Sequence, residues 1–166
     1  RRAMPRAVQI ALLLLLGAAA SLAPAPLAAQ ATPADSALQR DLVRLAAEDD
    51  AERAKLRDAV AREDFAFLRR FLAADSLRSE WLKVVVAERG WPSRSTVGDA
   101  GVKAAWSLLQ HSSDAAFQAR LLPEVDRAAG RGELSPAEVA MMTDRVLVKT
   151  GRPQRYGTSF TERDGR

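Results

Sequence analysis

Cysteine is absent from the 166 residues, so no disulfide, thiolate nucleophile or cysteine-based metal site is available. Histidine and tyrosine occur once each, and aromatic residues make up 5% of the chain. Few side chains are therefore left for proton transfer near neutral pH. No alternating apolar–polar run marks a strand and no internal repeat marks a solenoid. The HExxH spacing of a zinc hydrolase, the GxSxG elbow of a serine hydrolase and a phosphate-cradling glycine loop are all missing. Neither a metal nor a cofactor is implied. What remains is 48% hydrophobic and 28% charged, the composition of one globular domain.

The formal net charge of +4 is unevenly placed. Arg1, Arg2 and Arg6 stand in a first segment of 31 residues that contains no acid, and the rest carries 22 basic and 21 acidic residues. Such a balance gives no basic footprint for a phosphate backbone, so nucleic acid is not an expected partner. The first segment itself has the order of a secretory signal: basic residues, an apolar run from Val8 through Leu16, then small residues with Pro24 and Pro26. The run is shorter than the roughly 20 residues of a membrane span, so no stable span is expected once the signal is cut. Ala29 and Ala31 predict cleavage before Thr32. Residues 32–160 then form an exported domain, periplasmic or extracellular, and 161–166 a disordered tail. About 135 mature residues suffice to bury a core without disulfides.

Along that domain the apolar period is helical, which predicts an all-α class: a single compact bundle of about five helices with an irregular carboxyl-terminal tail, preceded by the signal peptide. Leu38, Leu42, Leu45, Leu56 and Val60 mark the first helix, opened by Asp35 or Ser36. Phe65, Phe67, Leu68, Phe71 and Leu72 lead into a second carrying Leu77, Trp81, Leu82, Val85 and Val86. Gly90–Gly98, with its glycines, proline and hydroxyl residues, reads as the one long loop. Val102, Ala105, Trp106 and Leu109 mark the third helix, ending near His111. Phe117, Leu121, Leu122 and Val125 mark the fourth, in which Pro123 predicts a kink or the true start. Ser135, Pro136 and Glu138 form a capping box that opens the fifth, and Gly151 stops it.

The segments GWPSRSTVG, AAWSLLQHSSDAAFQ and MMTDRVLVKTGRPQRYGT, in this order and spacing, resemble a bacterial family, domain of unknown function 6624. The likeness runs from about Asp41, where EDDAERAKL looks like that family's first helix, to Thr158. The resemblance supplies a fold expectation and motif positions but no activity, substrate or cofactor. It singles out Trp91, Pro92, Gly98, Gln110, His111, Asp144, Arg145, Gln154, Tyr156 and Gly157. Ser112, Ser113 and a single Asp114 follow the histidine where the family pattern carries two acids.

Two residue patterns suggest a site. Helical geometry turns Asp144 between Ala140 and Val148, into an apolar sector, while Glu138, Arg145 and Lys149 share the opposite face, read as the solvent side. A buried carboxylate needs hydrogen-bond donors, so Asp144 is either a cap for tail amides or the organiser of a polar pocket. On the third helix Lys103, Ser107, Gln110 and His111 fall within one arc, and His111 sits at a helix carboxyl end. The third helix, the Gly90–Gly98 segment and the tail are expected to converge around Asp144. The candidate catalytic residues are His111 and Asp144, and the candidate ligand contacts are Trp91, Gln110, Arg145, Gln154 and Tyr156. One functional reading is a module binding a small molecule or an envelope protein. Another is a hydrolase-like acid–base enzyme using His111 and an acidic partner. A third assigns the polar network to folding alone.

Overall fold

The computed structural model describes residues 32–159; the segment expected to be a signal and the expected disordered tail lie outside them. Five α-helices follow one another: α1 (Pro33–Ala61), α2 (Phe65–Arg89), α3 (Arg94–His111), α4 (Ala115–Gly130) and α5 (Pro136–Lys149). Among the described residues there is no strand. Among the described residues no helix is long and apolar enough to cross a membrane.

Four of the five helices begin where a short polar side chain meets an orphan amide; at α3 Ser93 makes no such bond and Glu133 accepts from Arg94 N instead. Thr32 and Asp35 form a reciprocal capping box at α1, Thr32 Oγ1 accepting from Asp35 N and Asp35 Oδ2 from Thr32 N. The start lies before the expected Asp35 or Ser36, because Pro33 suits a first helical position. Asp64 caps α2 through Phe67 N and Asp114 caps α4 through Phe117 N, both at 2.9 Å. The expected Ser135–Glu138 box opens α5.

Three expectations need correction. The Gly90–Gly98 stretch is a loop only over Gly90–Ser93: Arg94–Val97 already wind as the first turn of α3, and Gly98, at φ 64° and ψ 176°, breaks the helix after them. The cue that failed was glycine, which here marks a kink within a helix. The fourth helix starts at Ala115 and runs on through Pro123. That proline lies on an exposed face, where the carbonyl its missing N–H leaves unpaired can be hydrated. Finally, Val60, Phe65, Leu72 and Leu77 are exposed. Val60, Phe65 and Leu72 lie on the far part of the α1–α2 hairpin, which continues past Asp49, where α3 ends against α1 at His111; Leu77 stands beside Arg78, level with Asp49.

Cross-links fix the helix directions. Gln39 lies against Gly98 and Gly101 while Asp49 meets His111, so α1 and α3 run parallel. Arg89 pairs with Asp35 and Asp75 with Arg53, so α2 returns antiparallel to α1. Glu138 meets Lys103 and Lys149 meets the carbonyl of Ser112, so α5 runs along α3. The core between them is Leu42, Leu82, Val102, Leu109, Phe117, Val125 and Met142. One end of the bundle, where α3 and α5 finish, is instead filled with charge.

Candidate functional site

A helix carboxyl end leaves unpaired carbonyls that carry partial negative charge, and α3 ends inside the protein. Its carbonyls therefore need buried donors. Gln118, fully buried on α4, sends one amide nitrogen to three of them, Leu109, Gln110 and Ser112, at 2.8, 2.9 and 3.0 Å. Lys149 Nζ donates to Ser112 O at 2.6 Å and to Gln118 Oε1 at 3.0 Å. Arg53 Nη2 reaches the His111 carbonyl at 3.3 Å.

His111 closes α3 and turns its ring toward α1. The carboxylate of Asp49, 1% exposed, lies 2.5 Å from His111 Nδ1. Arg53 Nε donates to the same oxygen at 2.8 Å, and Arg78 Nε lies 3.5 Å from the other without a hydrogen-bonding angle. Burial pushes the Asp49 carboxyl up, but its bonds with His111 and Arg53 outweigh that and hold it below the usual carboxylate range. An ionised carboxylate only accepts, so His111 Nδ1 carries the proton toward it and Nε2 is the nitrogen left for other contacts. Arg53 continues to Asp75, and Arg78 to Glu52. Ser79 and Ser112 join their hydroxyls beneath, Ser79 donating at 2.9 Å.

The α5 face read from sequence as solvent-facing lies along α3 instead, although Lys149 keeps much of its side chain exposed. Glu138 bonds Lys103 at 2.5 Å, Lys149 tucks its ammonium under α3, and Arg145 is half-buried. Arg145 donates no hydrogen bond to any described residue and has no carboxylate within 4.0 Å among them; its Nε is fully enclosed. Burial, then the charge of Arg53, lower its pKa, and burial, then Arg145, lower that of Lys149. The helical wheel misled here because the apolar stripe of α5 is narrow and its partner is itself charged.

Asp144 is fully buried, as its place in the apolar sector implied. Its oxygens accept from the backbone amides of Arg155 (2.7 Å), Tyr156 (3.0 Å) and Thr158 (2.8 Å), and from the Thr158 hydroxyl (2.9 Å). Burial raises its pKa, while those amides, Thr158 first, overcome that and bring it to about 2. Asp144 thus gathers the tail; no ion pair or hydrogen bond links it to His111.

The other candidates are dispersed. Trp91 packs partly buried against the core at the end where Leu38 and Arg89 lie, roughly 16 Å along α1 from Asp49. Gln110 is buried and offers its carbonyl to Gln118. Gln154 exchanges two bonds with the backbone of Ser159, at 2.6 and 2.8 Å, and Tyr156 is exposed beneath the Arg155 guanidinium. His111 and Arg145 belong to the charged end; Asp144, Gln154 and Tyr156 belong to the tail. The expected convergence around Asp144 is replaced by these two separate assemblies.

Ligating atoms of Asp49, Asp50 and His111 lie within 4.8 Å of one another. The two Asp49 oxygens already face guanidiniums, which opposes a cation there. The arrangement is better suited to holding an anion beside an oriented imidazole.

Comparisons with curated proteins and with solved structures gave no match. The model of a family of unknown function, DUF6624, matches residues 36–165, which takes in all five helices and the tail; the chain belongs to that family.

Proposed function

We propose that the protein is a binding module for a small ligand bearing a carboxylate or phosphate, seated at the charged end of the bundle with Arg145 as its principal contact. The observation that carries this reading is the unused guanidinium. A buried cation is ordinarily paired, and here Asp49, Asp75 and Glu52 are taken by Arg53 and Arg78, while Lys149 serves the end of α3. Guanidinium geometry matches carboxylate and phosphate, whose two oxygens accept side by side. His111, its ring 23% exposed, stands at the same end with one free nitrogen.

The test is a thermal-shift and calorimetric titration with inorganic phosphate, sulfate, acetate and succinate. At least one anion is expected to stabilise the protein, and Arg145→Gln to abolish the effect. No response to any of them, or a response that Arg145→Gln leaves intact, overturns the proposal.

A second reading, a hydrolase-like acid–base enzyme, is favoured by the 2.5 Å contact between His111 and Asp49, because a carboxylate that fixes the ring orientation is what a general base requires. Under it, His111→Gln keeps the anion-induced stabilisation and removes turnover. Export fits both readings. The expected cleavage site immediately precedes Thr32, the residue that caps α1. Amino-terminal sequencing of the exported protein should begin near Thr32.

A further inference from the structure

The opposite side of α5 carries a feature that the proposed anion site leaves unused. A groove of about 570 Å³ runs between α4, α5 and the tail. Leu122, Val146 and Leu147 supply its apolar wall, and Thr143 and Gln154 its neutral polar groups. The charged lining residues are two arginines, Arg152 and Arg155, with no acid among them. Neither guanidinium has a carboxylate within 4.0 Å among the described residues. Small-ligand pockets have this volume, and the lining here is divided evenly between apolar and polar residues, with the positive charge on the tail side.

The tail forms the outer wall and the fold fixes it twice. Gly151, at φ 72°, ends α5 in a left-handed turn that lets Arg152 N donate to Leu147 O at 2.8 Å. Asp144 then draws in the amides of Arg155, Tyr156 and Thr158. Between these anchors, residues 152–155 cross the apolar wall and bring Arg152 and Arg155 into the lining, the Arg155 guanidinium resting over the Tyr156 ring. We infer that this groove binds an amphipathic acid: an apolar body against Leu122, Val146 and Leu147, with a carboxylate or phosphate between Arg152 and Arg155. Positive charge on the two arginine side chains selects the anion, the nearby Asp144 carboxylate being spent on the tail's amides, and the apolar wall selects the body over inorganic ions. The inference stands apart from the Arg145 site, since the two lie on opposite faces of α5.

The experiment is a two-dimensional NMR titration of the full chain with octanoate and octyl phosphate below their micelle concentrations, and with octanol as the uncharged analogue. Saturable shifts are expected at the amides of Leu147, Arg152, Gln154 and Arg155. Affinity should fall about tenfold for octanol and for Arg152→Glu/Arg155→Glu. The milder Arg152→Gln/Arg155→Gln pair should fall in between and guards against misfolding of the charge-reversed variant. The stronger of the two acids tells carboxylate from phosphate. Absence of saturable shifts with both acids overturns the inference, as does equal binding of octanol or equal binding by the variants. Shifts confined to Arg145 and His111 would move the ligand to the other site and also overturn it. A groove that responds only after residues 160–166 are deleted would belong to the chain's own carboxyl end, with the same consequence.

Discussion

Asp49 and His111, 62 positions apart, meet at 2.5 Å through a carboxylate that also accepts from Arg53 and faces Arg78. One acid thus binds α1 to α3 and balances two guanidiniums at an end of the bundle where helix carbonyls add further negative charge. Asp49→Ala leaves buried cations without their counter-charge and the imidazole without its orientation. Loss of one partner of a buried pair costs about 3–5 kcal/mol, which urea unfolding at neutral pH measures directly. A cost near zero would mean that the network is ornamental and that His111 is not held.

Tail anchoring should depend on acid pH through Asp144. Its folded pKa, about 2, lies below the ordinary 3.8, so the contribution it makes is complete above the ordinary value and is lost as pH falls through the folded one. Nitrogen-15 relaxation of Arg155, Tyr156 and Thr158 should show an ordered tail at neutral pH and release between about pH 4 and pH 2. Asp144→Asn, which has one acceptor oxygen in place of two, should release the tail at neutral pH. A tail in Asp144→Asn that stays as rigid as wild type would remove Asp144 from this role.

Helix number and stops were legible because they rest on local signals: apolar spacing, the Ser135–Glu138 box, Gly151. The burial of Asp144 was legible by the same spacing. Asp49 carried an equally readable signal, since it lies in register with Leu42, Leu45 and Leu56 on the apolar side of α1, yet its surroundings EDDAERAKL read as a solvated run. Which acid pairs with His111 could not be read, because the partner comes from another helix and pairing is decided by how α1 and α3 are brought alongside. The inward turn of the Lys149 ammonium was illegible for a related reason: its target is the backbone at the end of α3, which has no signature in residue types, and Arg145 has no partner among the described residues to announce its own.

Gln118 offers a test of that backbone account. Gln118→Leu keeps the volume but strips the donor shared by Leu109, Gln110 and Ser112 carbonyls. Lys149 still serves Ser112 and Ser112 N still serves Leu109, so the Gln110 carbonyl is the acceptor left unpaired, and a loss of about 1–3 kcal/mol is expected by chemical denaturation. A loss below about 0.5 kcal/mol would show that these carbonyls reach water.

Gly98 tests the break in α3. Its φ of 64° with ψ of 176° belongs to a region essentially restricted to glycine, and an added Cβ would also stand 3.2 Å from Gln39 Nε2. Gly98→Ala should cost about 1–3 kcal/mol. Because most of that cost is in the backbone, adding Gln39→Ala should restore little of it; full restoration would assign the cost to the side-chain clash instead.

Arg145 supplies the sharpest separation of stability from function. A guanidinium that is half-buried, unpaired and pressed by the charge of Arg53 weakens the ligand-free fold. Arg145→Met removes that charge while keeping a long flexible stem for packing, and replacement of poorly compensated buried charge by an apolar side chain is commonly stabilising. A gain of about 1 kcal/mol in the absence of anions is expected, visible as a rise in the thermal midpoint. The same variant should show no further rise with phosphate, sulfate or carboxylates, so the wild type and variant curves converge or cross as anion is added. Destabilisation of the ligand-free variant would mean that Arg145 is already satisfied within the fold, and the argument for an anion at this end would fail with it.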